Sequence, residues 1–145
     1  MAPGTAGSLA SLLIGAAIWF QLSEQWQPYL FPLLTLLSMV GCIIPGKRIE
    51  SIFGRKDPGA VVIDEAAGQF AVLSVLPWIP QTWTSWVLAF LLFRLFDIFK
   101  PFGIRRLEKH PGGWGVLLDD VAAGVLAALV LLGLDQLPGE LLSRY

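Results

Sequence analysis

The chain has 145 residues, of which 55% are hydrophobic and only 14% are charged, and its net charge is −1 at pH 7. Soluble domains carry about 25% charged residues, so this chain has too little polar surface for one, and its near-neutral charge excludes general attraction to nucleic acid. The single cysteine, Cys42, excludes an internal disulfide framework and a zinc site built from several cysteines. We therefore predict one small integral membrane domain over residues 1–145, with a very apolar soluble helical bundle as the alternative.

Apolar segments near the 20-residue length that crosses a lipid bilayer as a helix recur five times along the chain. These runs are longer than typical β-strands and show no persistent period-two alternation, which favours helices throughout. In chain order the predicted spans cover roughly 6–22, 29–44, 60–79, 82–99 and 114–134. No basic residue precedes position 47, so the first span lacks the charged region of a signal peptide and is expected to be retained. The predicted fold is a compact all-α, polytopic membrane helix bundle with about five spans.

Basic residues predict how this bundle is oriented. Eight of the ten lie in two connections, namely Lys47, Arg48, Arg55 and Lys56 after the second span and Lys100, Arg105, Arg106 and Lys109 after the fourth. Cytoplasmic loops are enriched in Lys and Arg, so both connections are expected on the cytoplasmic side. The opposite interface is then expected to carry an aromatic belt formed by Trp19, Trp26, Trp78 and Trp83.

Five carboxylates share one depth in the predicted bundle: Asp64, Glu65, Asp97, Asp119 and Asp120. At a rise of 1.5 Å per residue, all five fall within roughly 10 Å of the cytoplasmic surface. Ionisable groups within spans are costly and usually face the bundle interior, and small residues at helical spacing on the same helices favour close packing. The pattern predicts an acidic pocket near the cytoplasmic face. Helix N-terminal charge stabilisation and salt bridges to Arg94 and Lys100 are the structural alternatives.

The residue types in this pocket indicate phosphate chemistry. Clustered carboxylates without histidine or cysteine partners favour hard divalent cations, Mg²⁺ above all. Neighbouring Arg94 and Lys100 would attract phosphate oxygens. A metal and basic groups beside the headgroup layer indicate a phospholipid phosphate ester as substrate, with a carboxylate acting as general base or as nucleophile. A small cation transporter or transporter subunit that uses the same acids is the alternative function.

Four stretches, in order along the chain, resemble motifs of the phosphatidylglycerophosphatase A family. They are APGTAGSL at 2–9, KDPGAVVIDEAAGQ at 56–69, FRLFDIFKPFGI at 93–104 and GGWGVLLDDVAAG at 112–124. The resemblance implies a Mg²⁺-dependent phosphatase that converts phosphatidylglycerophosphate to phosphatidylglycerol by hydrolysing its terminal phosphomonoester. It also implies a multi-pass protein of the bacterial inner (cytoplasmic) membrane, with its active site facing the cytoplasm.

The same resemblance implies roles for individual residues. By motif position, catalytic roles go to Asp64, Glu65, Asp97, Asp119 and Asp120, and metal-ligand roles to all of these except Glu65. Substrate-binding roles go to Thr5, Ser8, Arg94 and Lys100. The sequence leaves open which carboxylate binds metal and which activates water, the number of ions, the headgroup selectivity and the oligomeric state, a homo-oligomer included.

Two departures from the family pattern stand out. Family members usually carry more chain before the first motif, which leaves the boundary of the first span open. The family's Lys-Pro-x-Pro-Ile pattern is here Lys100-Pro101-Phe102-Gly103-Ile104. We expect the lost proline to loosen this loop without abolishing activity, because no charge is removed.

Other phosphatase chemistries fit the sequence poorly. Cys42 and Arg48 match the Cys-x5-Arg spacing of thiolate phosphatases, but Cys42 ends an apolar helix and lacks the glycines that open a phosphate-binding loop. The single histidine, His110, excludes mechanisms that need one histidine as nucleophile and another as acid.

Overall fold

The fold, described by a computed structural model for residues 3–53, 62–109 and 114–136, is helical. Its α-helices are α1 (Pro3–Trp19), α2 (Gln27–Phe53), α3 (Ile63–Leu73), α4 (Trp83–Phe99) and α5 (Trp114–Asp135), with short 3-10 segments at Glu24–Trp26, Leu76–Trp78 and Pro101–Lys109. These ranges contain no strand, which confirms the all-α prediction. Arg55, Lys56 and His110 lie outside the described residues.

Within the described ranges, two helical segments are long and apolar enough to cross a membrane, Glu24–Ile44 and Trp114–Asp135, and Gly4–Trp19 is a shorter apolar helix. The segment 60–79 is not one continuous α-helix, in contrast to the prediction. α3 has 11 residues and spans about 16 Å, short of the roughly 20 residues that a bilayer requires. A 3-10 segment at Leu76–Trp78 follows it, and Pro77 in this segment has no N–H with which to continue an α-helix.

α3 is the central helix of the bundle and packs against each of the other four. Its closest approach is to α5, where a Cβ on Gly124 would collide with the carbonyl oxygen of Gly68 and a Cβ on Gly68 with that of Asp120. Small residues let helix backbones approach in this way. Asp64 and Asp120 lie one helical turn before these two glycines, so the glycine contact also brings the two acids together.

An aromatic cluster fills the bundle at a distance from the acids. Trp19 stacks on Phe31 with ring centroids 5.3 Å apart, and Trp86 packs edge-on against both rings. Trp19 is only 1% exposed, so its assignment to an interfacial belt is wrong, whereas Trp26, Trp78 and Trp83 are exposed. The outer face of α2 is apolar and exposed at Leu33, Leu36, Leu37, Val40 and Ile44, which suits contact with lipid.

Candidate active site

Three carboxylates meet where the first turns of α3 and α5 approach each other. One oxygen from each of Asp64, Glu65 and Asp120 lies within 4.8 Å of the other two, and Asp64 and Asp120 are buried. Oδ1 of Asp64 and Oε2 of Glu65 are buried without a hydrogen-bond partner among the described residues. Buried carboxylates this close repel one another, and their unpaired oxygens are costly, unless a cation lies between them. This carboxylate cluster can therefore hold a metal ion.

The first turn of α1 lies directly against this cluster. A Cβ on Gly4 would collide with Oε1 of Glu65 and would lie 3.5 Å from Nη1 of Arg94. The glycine in the first motif thus lets the α1 backbone come close to a carboxylate and a guanidinium at once.

Arg94, near the end of α4, is held in place by groups on two helices. Its Nη1 donates to Oδ2 of Asp97, three residues along α4, at 2.5 Å. Nη1 also lies 3.4 Å from the Ser8 hydroxyl, and Nη2 donates to the Thr5 hydroxyl at 3.2 Å. The Ser8 hydroxyl in turn donates to the Gly4 carbonyl at 2.9 Å. A further guanidinium donor, Nε, is buried without a hydrogen-bond partner in the described part of the chain.

Lys100 and Asp119 form a second charged pair beside the cluster. Lys100 caps the end of α4 in a left-handed conformation, and its ammonium forms an ion pair with Oδ2 of Asp119 on α5. Asp119 is fully buried, and its Oδ1 accepts a hydrogen bond from the backbone N–H of Asp120 at 3.1 Å. The pair therefore brings a cation to the edge of the carboxylate cluster.

All of the residues predicted for the site lie at this one end of the bundle, but the structure divides them into two groups. Asp64, Glu65 and Asp120 form the cluster, while Asp97 and Asp119 are paired with cations. Thr5 and Ser8, expected to contact substrate, are placed against Arg94, an arrangement that favours holding the guanidinium over touching a phosphate.

One polar residue of this region was not assigned a role from the sequence. Gln69 is fully buried, one helical turn after Glu65, and neither of its amide atoms has a hydrogen-bond partner among the described residues. In the sequence, Gln69 could have been noticed as a single amide side chain that follows a run of small residues inside an apolar segment. A buried amide without hydrogen bonds destabilises the fold, so packing alone does not explain a glutamine at this position.

Cys42 lies in the core of the bundle. It is buried against Ala67 and Leu117. The chain from Cys42 to residue 48 is part of the continuous helix α2, so there is no loop here whose N–H groups could surround a phosphate. The thiolate alternative is therefore not supported.

Comparison with known proteins gives a consistent result. A family model described as Phosphatidylglycerophosphatase A matches residues 1–135. Phosphatidylglycerophosphatase A of Haemophilus influenzae is 39% identical over 136 residues, covering 92% of this chain and 79% of that protein. The Escherichia coli protein of the same name is 34% identical over 131 residues, covering 89% of this chain and 72% of its own length.

A third relative carries a different substrate in its name. A Bacteroides thetaiotaomicron protein, provisionally named phosphatidylinositol-3-phosphatase, is 38% identical over 130 residues, covering 90% of this chain and 81% of that protein. No solved structure gives a significant match.

Proposed function

The chain belongs to the phosphatidylglycerophosphatase A family, and from this membership we propose that it hydrolyses the terminal phosphomonoester of phosphatidylglycerophosphate. The products are phosphatidylglycerol and inorganic phosphate. The observation that carries the proposal is the cluster of Asp64, Glu65 and Asp120 with two cationic side chains at its edge. Membership in a phosphatase family does not favour a cation transporter.

A divalent cation would be held by the three clustered carboxylates, and a donor set made only of oxygens suits Mg²⁺. When bound, such an ion supplies Lewis-acid stabilisation of the charge on the phosphoryl oxygens. The family resemblance also implied a metal-ligand role for Asp97 and Asp119. In this proposal they orient Arg94 and Lys100 through their ion pairs instead.

Arg94 and Lys100 bind the phosphate of the substrate. The Nε of Arg94 is a buried donor without a partner in the described chain, and the remainder of the guanidinium is already fixed by Thr5, Ser8 and Asp97. Hydrogen bonds from a fixed guanidinium to phosphate are charge-assisted and directional. Preorganised donors of this kind lower the barrier because they need no rearrangement as charge develops on the phosphoryl group.

The reaction exchanges one bond at phosphorus for another. A water oxygen bonds to phosphorus while the bond from phosphorus to the glycerol oxygen breaks, and that oxygen takes up a proton in exchange for the one that the attacking water gives to a carboxylate. Glu65 is the least buried of the three clustered acids and approaches Arg94, so it is the carboxylate best placed to accept the proton of the attacking water.

We further propose that the bundle is a multi-pass protein of the bacterial inner membrane, with about five helices in the bilayer, of which α3 crosses only part of it, and with its carboxylate end facing the cytoplasm. The apolar segments Glu24–Ile44 and Trp114–Asp135 support insertion. Exposed Arg105 and Arg106 follow Lys100 at the carboxylate end, which supports this orientation through the excess of basic residues on cytoplasmic loops.

A panel of lipid substrates tests the proposed activity. Purified protein in detergent micelles with Mg²⁺ is given phosphatidylglycerophosphate, phosphatidylinositol 3-phosphate or phosphatidic acid, and released phosphate is measured. We expect the highest kcat/KM for phosphatidylglycerophosphate. A preference for phosphatidylinositol 3-phosphate would replace the proposed substrate with the one that the Bacteroides relative's name gives. Release from none of the three would contradict the proposal.

A further inference from the structure

An apolar groove runs along α5 next to the segment that carries the Lys100–Asp119 ion pair. Its walls are Phe102 and Ile104 from the 3-10 segment and Ala122, Val125, Leu126 and Leu129 from α5. All six side chains are apolar, and the groove has a volume of about 360 Å³. It is therefore large enough for part of a ligand, since small-molecule pockets are typically 300–1,000 Å³.

The groove begins at the catalytic end of the bundle. Lys100 stands two residues before Phe102, and its ion-pair partner Asp119 lies one helical turn before Ala122. From Asp119 to Leu129 the helix rises about 15 Å, which is half of the roughly 30 Å hydrocarbon core of a bilayer. The headgroup glycerol and phosphodiester separate the terminal phosphate from the acyl chains, so a lipid whose terminal phosphate met Lys100 would bring the first part of an acyl chain to the far part of this wall.

The loop that forms the outer wall is held in an unusual conformation. Lys100, Phe102 and Gly103 have φ values of 44°, 56° and 83°. Left-handed conformations of residues other than glycine cost about 1–2 kcal/mol each and are concentrated at ligand clamps and other functional sites. This backbone leaves Phe102 91% exposed as one wall of the groove. Gly103 stands where the family pattern has its second proline. Proline cannot adopt a φ near +83°, so this loop conformation depends on the glycine.

We propose that the apolar groove binds one acyl chain of the phospholipid substrate while the headgroup lies at the carboxylate cluster. The inference rests on the proposed function, and it adds a second, apolar recognition element to the same site. The exposed face of α2 is also apolar. Of these two surfaces, only the α5 groove has a wall formed by Phe102 and an ion pair next to it. Phosphate binding and acyl-chain binding together would select a phospholipid over a water-soluble phosphate ester.

A substitution that fills the groove tests this proposal. Val125 lines the groove and is 49% exposed, so Val125→Phe adds bulk there without disturbing the core. Val40→Phe on α2 is the matched control, because Val40 is 51% exposed on a face remote from the groove. Both variants and wild type are assayed on dioleoyl phosphatidylglycerophosphate and on its deacylated headgroup, glycerophosphoglycerophosphate. The deacylated substrate carries the same terminal phosphomonoester but has no acyl chain that could enter the groove.

Val125→Phe is expected to lower kcat/KM for the dioleoyl substrate roughly tenfold, as loss of about two buried methylene groups would. Its kcat/KM for the deacylated substrate should match wild type, and so should both values for Val40→Phe. Equal effects of Val125→Phe on the two substrates, or none on either, would overturn the groove proposal. Failure of wild type to release phosphate from the dioleoyl lipid would instead refute the proposed function on which the groove proposal rests.

A binding measurement addresses the groove without turnover. Phosphatidylglycerophosphate with a photoreactive diazirine near the ester end of one acyl chain is irradiated with the protein in EDTA. Labelling of residues 122–129 that unlabelled phosphatidylglycerophosphate displaces would support the proposal. Labelling that a phosphate-free diacylglycerol displaces equally well would show that the groove holds bulk lipid and would overturn it.

Discussion

Replacement of Arg94 by lysine tests how the site is organised. The guanidinium interacts with Thr5, Ser8 and Asp97 and keeps Nε for a ligand. Lysine preserves the positive charge but carries all of its donors on one nitrogen. It can retain the ion pair with Asp97, but it cannot span the two hydroxyls and present a separate donor to phosphate.

The size of the expected loss follows from the contacts that lysine cannot make. Each neutral hydrogen bond contributes about 1 kcal/mol, and one to a charged group about 1.5–3 kcal/mol. If one charge-assisted hydrogen bond to the transition state is lost and the remaining positive charge is less well oriented, the barrier rises by about 2–3 kcal/mol. That corresponds to a roughly 30- to 150-fold decrease in kcat/KM.

The assay is the initial rate of phosphate release from phosphatidylglycerophosphate micelles over a range of substrate and Mg²⁺ concentrations. The Mg²⁺ concentration for half-maximal activity should be unchanged, because Arg94 is not part of the carboxylate cluster. Arg105→Lys is the matched control, since Arg105 is exposed, and it should behave as wild type. Wild-type kcat/KM in Arg94→Lys would refute the assignment of this guanidinium to phosphate.

Three further predictions separate the other parts of the structure. Asp64→Asn should raise the Mg²⁺ concentration for half-maximal activity at least about tenfold, whereas Asp119→Asn should lower turnover and leave that concentration unchanged. Equal shifts of the two variants in Mg²⁺ titrations would contradict the division of the acids into two groups. Gly124→Ala should lower the unfolding free energy by about 1–3 kcal/mol because its Cβ meets the α3 backbone, whereas Gly133→Ala, whose Cβ would have nothing within 4 Å, should raise it by up to about 1 kcal/mol. Thermal unfolding in detergent tests the difference, and equal shifts of the two variants would disprove it. Cys42→Ser should retain wild-type phosphate release, and a large loss would restore the thiolate hypothesis.

The helical fold was largely predictable because apolar runs mark helices strongly. All five predicted segments contain an α-helix, and the bounds of α4 and α5 lie within one residue of the prediction. The third segment failed because composition records apolar character but does not show where a proline removes the donor that the helix needs. Trp19 failed for a similar reason, since composition does not distinguish an aromatic ring at the membrane interface from one packed against Phe31 and Trp86.

The location of the site was predictable, but its internal pairing was not. Depth along a helix follows from residue number, so five acids could be assigned to one end of the bundle. Which acid meets a cation depends on helix rotation and on contacts between distant segments, as in the pair of Lys100 with Asp119. The glycine contact of Gly68 with Gly124 fixes that rotation for α3 and α5. The placement of Thr5 against Arg94 joins positions 89 residues apart, which no local pattern reveals.

The most direct test of the central claim is the metal dependence of phosphate release from phosphatidylglycerophosphate in detergent micelles. If Asp64, Glu65 and Asp120 hold a divalent cation that the reaction requires, EDTA will abolish release and added Mg²⁺ will restore it. Asp120→Asn, folded by thermal unfolding criteria, will remain inactive at the Mg²⁺ concentration that restores wild type. Release that is indifferent to EDTA, or an Asp120→Asn variant with wild-type turnover, would contradict the claim.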